Sequence, residues 1–221
     1  MDPSVAPPTE PAGAPVTPRW LEWTRRLQSV AQAGLTHARN PYDLERYRDV
    51  RRVAAEIAAV GSEGDVDAIL AFFDSERGYP TPKVDVRAAV IVEERILLVM
   101  ERDDGDWALP GGWADVGESA AEAAVRETRE EAGIEVRPEK VIALYERERR
   151  GHPPHPEFSY KIFFACAARG VPEPRGGTET LGTAFFAPDA LPRLSAARVT
   201  AQEIAVAFAH HRDPGLPTEF D

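Results

Sequence analysis

Cysteine is almost absent: Cys166 is the only one in 221 residues, so no disulfide can form within the chain. The start of the chain is not basic and then apolar, so a secretory signal is not expected, and a reduced, cytoplasmic setting is. Long apolar runs are missing too. None approaches the ~20 residues needed to cross a bilayer, which argues against a helical membrane span. Positive charge is scarce, with 26 Lys and Arg against 37 Asp and Glu and a net charge of −11. That balance argues against a general binder of nucleic acid or anionic membrane. A small phosphorylated substrate stays open, because a bound divalent cation reverses the local sign of an acidic site.

What is present is enough for a core, with 43% hydrophobic and 29% charged residues. The length fits one large domain, or a small one plus a modest one. Residues 1–17, rich in Pro and Ala and without apolar period, read as a disordered leader. From Pro18 the apolar residues recur at helical spacing, and residues 18–78 form a helical module. Trp20, Leu21, Trp23 and Leu27 mark its first helix, which Gly34 should end; Asn40-Pro41 opens the second, and Asp65 to Phe73 is the third. Trp20, Trp23, Tyr42 and Tyr47 are expected in the core or at a dimer interface. After the linker GYPTP, residues 83–213 alternate strands with two helices, and 214–221 read as a loose tail.

The chain is organised around Leu109 to Ile134, LPGGWADVGESAAEAAVRETREEAGI. Leu109-Pro110-Gly111-Gly112 breaks regular structure, because Pro fixes φ and Gly permits positive φ. Asp115 to Ser119 offers helix caps, an Ala/Glu/Arg run follows, and Gly133 closes it. At 3.6 residues per turn, Glu127, Glu130 and Glu131 share a face with Ala120, Ala123 and Ala124. Ala121, Val125, Thr128 and Ala132 then form the stripe expected to pack on a sheet. Like charges at this spacing repel by about 0.2–0.5 kcal/mol per pair. A solvated face tolerates that, and a Mg²⁺ ion, which takes oxygen ligands, would explain it. The glycine turn beside a helix N-terminus adds a place for phosphate.

Gly112, Glu118, Arg126-Glu127, Glu130-Glu131 and Gly133-Ile134 stand at the spacing G-x5-E-x7-R-E-U-x-E-E-x-G-U, which resembles the signature box of the Nudix hydrolases. Thr128 stands where the pattern has its first aliphatic U. The tract QSVAQAGLTHARNPYDLERYRDVRRVAAEI also resembles the N-terminal module of the branch that hydrolyses nucleoside diphosphates linked to another moiety, CDP-choline and ADP-ribose among them. The resemblance implies an α/β/α sandwich with a mixed sheet behind a helical N-terminal module. It implies Mg²⁺ or Mn²⁺ held by Glu127 and Glu131, with Glu130 nearby and the Gly111 carbonyl completing a metal shell. Arg126 would orient one carboxylate. Glu118 would either ligand a metal through water or support the loop. A later acid, here Glu179, would add a base or ligand beside Glu130. Homodimers are frequent in such a family.

Other candidates come from the residues themselves. Trp113 and Gly112 stand where a base or distal group would lie. Arg147 or Arg149 in ERERR would meet phosphate or simply end a strand. In GHPPHPEF, His152 and His155 are expected in a substrate-edge loop, while Glu203 reads as a surface charge. Competing functions are hydrolysis of oxidised nucleoside triphosphates, dinucleoside polyphosphates or RNA ends, and a non-catalytic ligand sensor. An intact box and the lack of a basic recognition helix count against the sensor.

Overall fold

The computed structural model describes residues 17–170, Arg175 and 180–221, which fall into two units. The leader therefore lies almost wholly outside the described residues, and so does Glu179.

The helical unit holds α1 (Arg19–His37), α2 (Pro41–Ser62) and α3 (Val66–Ser75), and the short segment Pro154–Phe158 groups with it. Asn40 caps α2 by accepting from the Tyr42 N–H, with Pro41 at the first helical position, and Asp65 caps α3 through the Ala68 N–H. Gly34 does not end α1. It lies inside the helix because Tyr47 packs onto it, and a Cβ there would sit 2.3 Å from that ring. Ala54, Ala55 and Phe73 form the core with Leu27, Val66, Ile69 and Leu70. Trp23 and Tyr42 remain exposed.

The second unit is a mixed sheet between two helices. Its strands are β1 (Lys83–Val92), β2 (Arg95–Glu101), β3 (Trp107–Ala108), β4 (Val136–Glu146), β5 (Ser159–Ala168), β6 (Thr180–Phe186) and β7 (Glu219–Phe220). They run in the order β3-β2-β1-β5-β4-β7, with β6 paired to β2. β1 and β5 are parallel from Lys83↔Ser159 to Val90↔Cys166. The β1–β2 hairpin pairs only at Ile91↔Ile96 and Val92↔Arg95, around Glu93 and Glu94, both at positive φ. Beyond Ile91 the two strands separate, and the glycine turn lies along β1 instead. Ala88 N–H donates to the Pro110 carbonyl, Val86 N–H to Gly112, and Ala114 N–H to Val84.

Strand alternation gives the sheet two apolar faces. Val86, Ala88, Val90, Leu97, Val99, Phe164 and Cys166 pack with α4 (Ala120–Ala132). Ala89, Ile96, Leu98, Tyr145 and Phe163 pack with α5 (Ala201–Arg212). This is the α/β/α sandwich expected from the sequence. Burial raises the Cys166 thiol to about 12, so it is inert core.

Two expectations need correction here. The run ERERR does not end a strand at its arginines: β4 stops at the first residue of the run, Glu146, whose side chain accepts from the Glu148 N–H, and Arg147–Arg150 form a 3₁₀ helix. The closing residues are not loose. β7 pairs with β4, Tyr145 Oη donates to Glu219 at 2.7 Å, and Arg150 pairs with Asp221 at 3.0 Å.

Candidate active site

α4 begins at Ser119, which accepts from the Glu122 N–H while the Glu122 carboxylate accepts from the Ser119 N–H, a full capping box. Gly133 ends it in the left-handed conformation. The helix is rotated partway from the expected orientation, with Thr128 and Ala132 of the expected stripe fully buried. Ala123 and Ala124 are fully buried, Glu127 and Glu131 are buried beside them, and Ala121 and Val125 lie only at the margin of that core. The alanines thus bring the helix close to the sheet on the side that carries two acids. Small side chains allow that approach; bulky ones would lift the carboxylates off the glycine turn. Glu130 alone of the three points to solvent, with its side chain 49% exposed.

The turn is built for this contact. Gly111 has φ 145, and a Cβ on it would lie 1.9 Å from the Val86 carbonyl, so only glycine fits. A Cβ on Gly112 would meet Glu127 Oε1 at 2.8 Å. The Gly111 N–H donates to Glu131 Oε2 at 2.9 Å. Arg126 gathers the rest. Its Nη2 and Nε meet Glu118 at 2.7 and 3.1 Å, and its Nη1 meets Glu127 at 2.9 Å and Glu130 at 3.3 Å. Nη2 also reaches the Trp113 carbonyl at 3.3 Å. Arg126 therefore hydrogen-bonds three carboxylates rather than the one it was expected to orient, with Asp115 a more distant partner at 3.8 Å.

Electrostatically the acids divide. Hydrogen bonds from Arg126 hold Glu118 below the usual carboxylate range. Burial pushes Glu127 up, and pushes Glu131 up to about 8 against the pull of Arg87 and the Gly111 N–H. Buried carboxyls that resist ionisation are what a hard cation would relieve. The donors fit such an ion: they are all oxygens, from Glu127, Glu131, Glu130 and the turn. The carbonyls of Leu109, Pro110, Gly112 and Trp113 are taken by Arg87, Ala88, Val86 and Arg126 respectively. Among the described residues no donor meets the Gly111 carbonyl, which leaves it available as a ligand. No ready-made cage of three His, Cys, Asp or Glu side chains occurs among the described residues. A site completed by backbone and substrate oxygens suits Mg²⁺, which is usually held by one or two carboxylates.

The other candidates separate. Trp113 is 43% exposed and pairs with Asp85 in an isolated bridge, with the Lys83 ammonium 5.7 Å from its ring centre. Arg147 is buried instead of facing phosphate, and donates to the Pro153 and Ala197 carbonyls. Arg149 stays exposed. His152 is fully buried, 2.8 Å from Glu203 Oε1 and 2.8 Å from the Ala196 carbonyl, so Glu203 is no surface charge. His155 belongs to the helical unit, its carbonyl accepting from Arg25.

Sequence reading missed Asp85, Arg87 and Lys161. All three are buried, with Arg87 Nε 2.8 Å and Lys161 Nζ 2.6 Å from the Asp85 carboxylate. Charged residues at every second position of an otherwise apolar strand (Asp85 and Arg87 in VDVRAAVIV) were the available signal. Glu101, buried at the end of β2 and paired with Arg198 at 3.1 Å, was missed as well.

Family comparison agrees with this geometry. The NUDIX domain description matches residues 81–206, and the description "UDP-X-like, N-terminal oligomerisation domain" matches residues 18–73. The chain belongs to the Nudix hydrolase family, a class of pyrophosphohydrolases. It is 42% identical over 206 residues to "Putative ADP-ribose pyrophosphatase YjhB" of Bacillus subtilis (strain 168), covering 93% of this chain and 99% of that one. An ADP-ribose pyrophosphatase structure from Streptococcus suis 89-1591 shares 38% identity at TM-score 0.58, over 64% of this chain and all (100%) of its own. A UDP-X diphosphatase structure shares 28% identity at TM-score 0.59, over 92% of this chain and 98% of its own.

Proposed function

We propose that the protein hydrolyses the diphosphate linkage of a nucleoside diphosphate joined to a second group, of the ADP-ribose or UDP-X kind. The products are a nucleoside monophosphate and the phosphorylated second group. The observation that carries this is the buried pair Glu127 and Glu131 pressed against Gly111 and Gly112. Similarity to the Bacillus subtilis and Streptococcus suis proteins over most of their lengths supports the substrate class, and CDP-choline belongs in the same panel.

Glu127, Glu131 and the Gly111 carbonyl would hold the cation, Mg²⁺ with Mn²⁺ as substitute. When bound, such an ion neutralises phosphate charge and makes a water more acidic. Arg126 keeps Glu118, Glu127 and Glu130 in register. Glu130, solvent-facing beside the ligands, accepts the proton as the water oxygen bonds to phosphorus and the bridging P–O bond breaks. Glu179 is the alternative base. Trp113 offers an aromatic face for a base or distal group, with Gly112 giving close approach. The helical unit, with Trp23, Tyr42, Val60 and Phe72 exposed, would join two copies in a homodimer, which light scattering would read directly. A cytoplasmic setting suits a protein whose one thiol is reduced and whose described helices are none of them long and apolar enough to cross a membrane.

The test is a hydrolysis panel with Mg²⁺ and Mn²⁺: ADP-ribose, UDP-sugars, CDP-choline, NADH, dinucleoside polyphosphates and triphosphates. Release of AMP, UMP or CMP, lost in Glu131→Gln, is expected. Turnover of triphosphates alone would move the protein to a different Nudix group. Silence with nucleotide binding by calorimetry would make it a sensor.

A further inference from the structure

Arg87 has two attachments that a core arginine does not need together. Its fork is filled by Asp85, through Nε at 2.8 Å and Nη2 at 3.3 Å, and its remaining arm, Nη1, donates to the Leu109 carbonyl at 3.1 Å. Lys161 Nζ, fully buried, closes the other side of Asp85 at 2.6 Å. One carboxylate therefore holds two basic side chains in a buried cluster, and the Leu109 carbonyl links that cluster to the turn. Arg87 also acts electrostatically on Glu131, Glu127 and Glu101.

Leu109 opens the glycine turn. The main chain of β1 fixes the Pro110 and Gly112 carbonyls, but no β1 amide takes Leu109. Among the described residues the Arg87 side chain is what takes it. Two residues further on, Gly111 gives its N–H to Glu131, and among the described residues no donor meets its carbonyl.

Resting on the hydrolase assignment above, we propose that Arg87, held by Asp85 and Lys161, is a positioning residue for the catalytic turn. It takes the Leu109 carbonyl so that Gly111 directs its carbonyl to the cation and its amide to Glu131. Asp85 and Lys161 act one step further back, fixing the plane of the guanidinium.

The experiment is titration of substrate-free protein with Mn²⁺, following the loss of the free-ion resonance, alongside kcat, KM and thermal melting. Arg87→Lys keeps the charge and loses the fork. It is expected to bind Mn²⁺ about tenfold more weakly and to lower kcat with KM little changed, the scale of losing a support behind a metal ligand. Arg87→Met, which loses the charge too, is expected to lose about 100-fold in Mn²⁺ affinity. Should Arg87→Met fail to fold, Arg87→Lys decides. A lowered melting temperature with Mn²⁺ affinity and kcat unchanged in Arg87→Lys would mean an ordinary core role and overturn the inference alone. Wild-type protein that neither binds Mn²⁺ nor hydrolyses any of the panel overturns the hydrolase assignment and the inference with it.

Discussion

The two faces of the sheet bury charge in opposite ways. On the α4 face Glu127 and Glu131 are pushed above the usual carboxylate range by burial, with too little positive charge beside them. On the α5 face burial also opposes ionising Asp85, but the charges of Arg87 and Lys161 outweigh it and hold its carboxyl low. His152 and Glu203 likewise satisfy each other there. An internally paired cluster is complete without a ligand. Glu127 and Glu131, despite Arg126 and the Gly111 N–H, remain costly to ionise in the isolated protein, a cost the proposed cation would offset.

Replacing an acid on each face should therefore have different consequences. Glu131→Gln or Glu127→Gln is expected to lower kcat by about three orders of magnitude, the scale of losing a charge that stabilises the transition state. Circular dichroism should show the fold intact. On the other face, His152→Leu leaves the Glu203 carboxylate buried without its main partner. Urea denaturation should read a loss of about 3 kcal/mol, with kcat per folded molecule unchanged. If His152→Leu instead abolished turnover in well-folded protein, the division between the faces would not hold.

A pH series sharpens the same contrast. In the presence of a chelator, the Glu131 carboxyl has a folded pKa of about 8 against 4.5 for an ordinary glutamate. A folded pKa above the unfolded one favours unfolding as pH rises through that window, because the unfolded chain ionises first. Wild type should thus melt progressively lower than Glu131→Gln between pH 4.5 and about 8. Adding Mg²⁺ should reverse the order. Equal melting temperatures across the range would show that Glu131 is not held protonated by burial. The smallest effect is at Thr128, fully buried, whose hydroxyl donates to the Ala124 carbonyl at 2.7 Å within the helix. That carbonyl already has its helical partner, so Thr128→Val should change stability by less than about 1 kcal/mol in chemical denaturation.

Local rules made much of this legible. The capping run that ends at Ser119, the closing glycine at 133 and the acid spacing all follow from interactions within one or two helical turns. The Gly34 expectation failed because a glycine placed for contact looks, in sequence, like one placed for a turn. Arg147 failed for a related reason. A charged run shows net charge but not which guanidinium is drawn inward by the Pro153 and Ala197 carbonyls, 6 and 50 residues away. The tail looked loose because strand pairing with β4 joins Ala143 to Glu219, far apart in the chain.

The sequence by itself determined the family and the glutamate-rich helix with its capping run and closing glycine, because each depends on spacing along a single helix or turn. The tertiary structure alone decided which side of that helix meets the sheet, and so which glutamates are buried. It also joined Asp85, Arg87 and Lys161 across two parallel strands and brought them to the back of the turn at Leu109. Parallel pairing sets residues 76 apart side by side, and no local pattern encodes that distance.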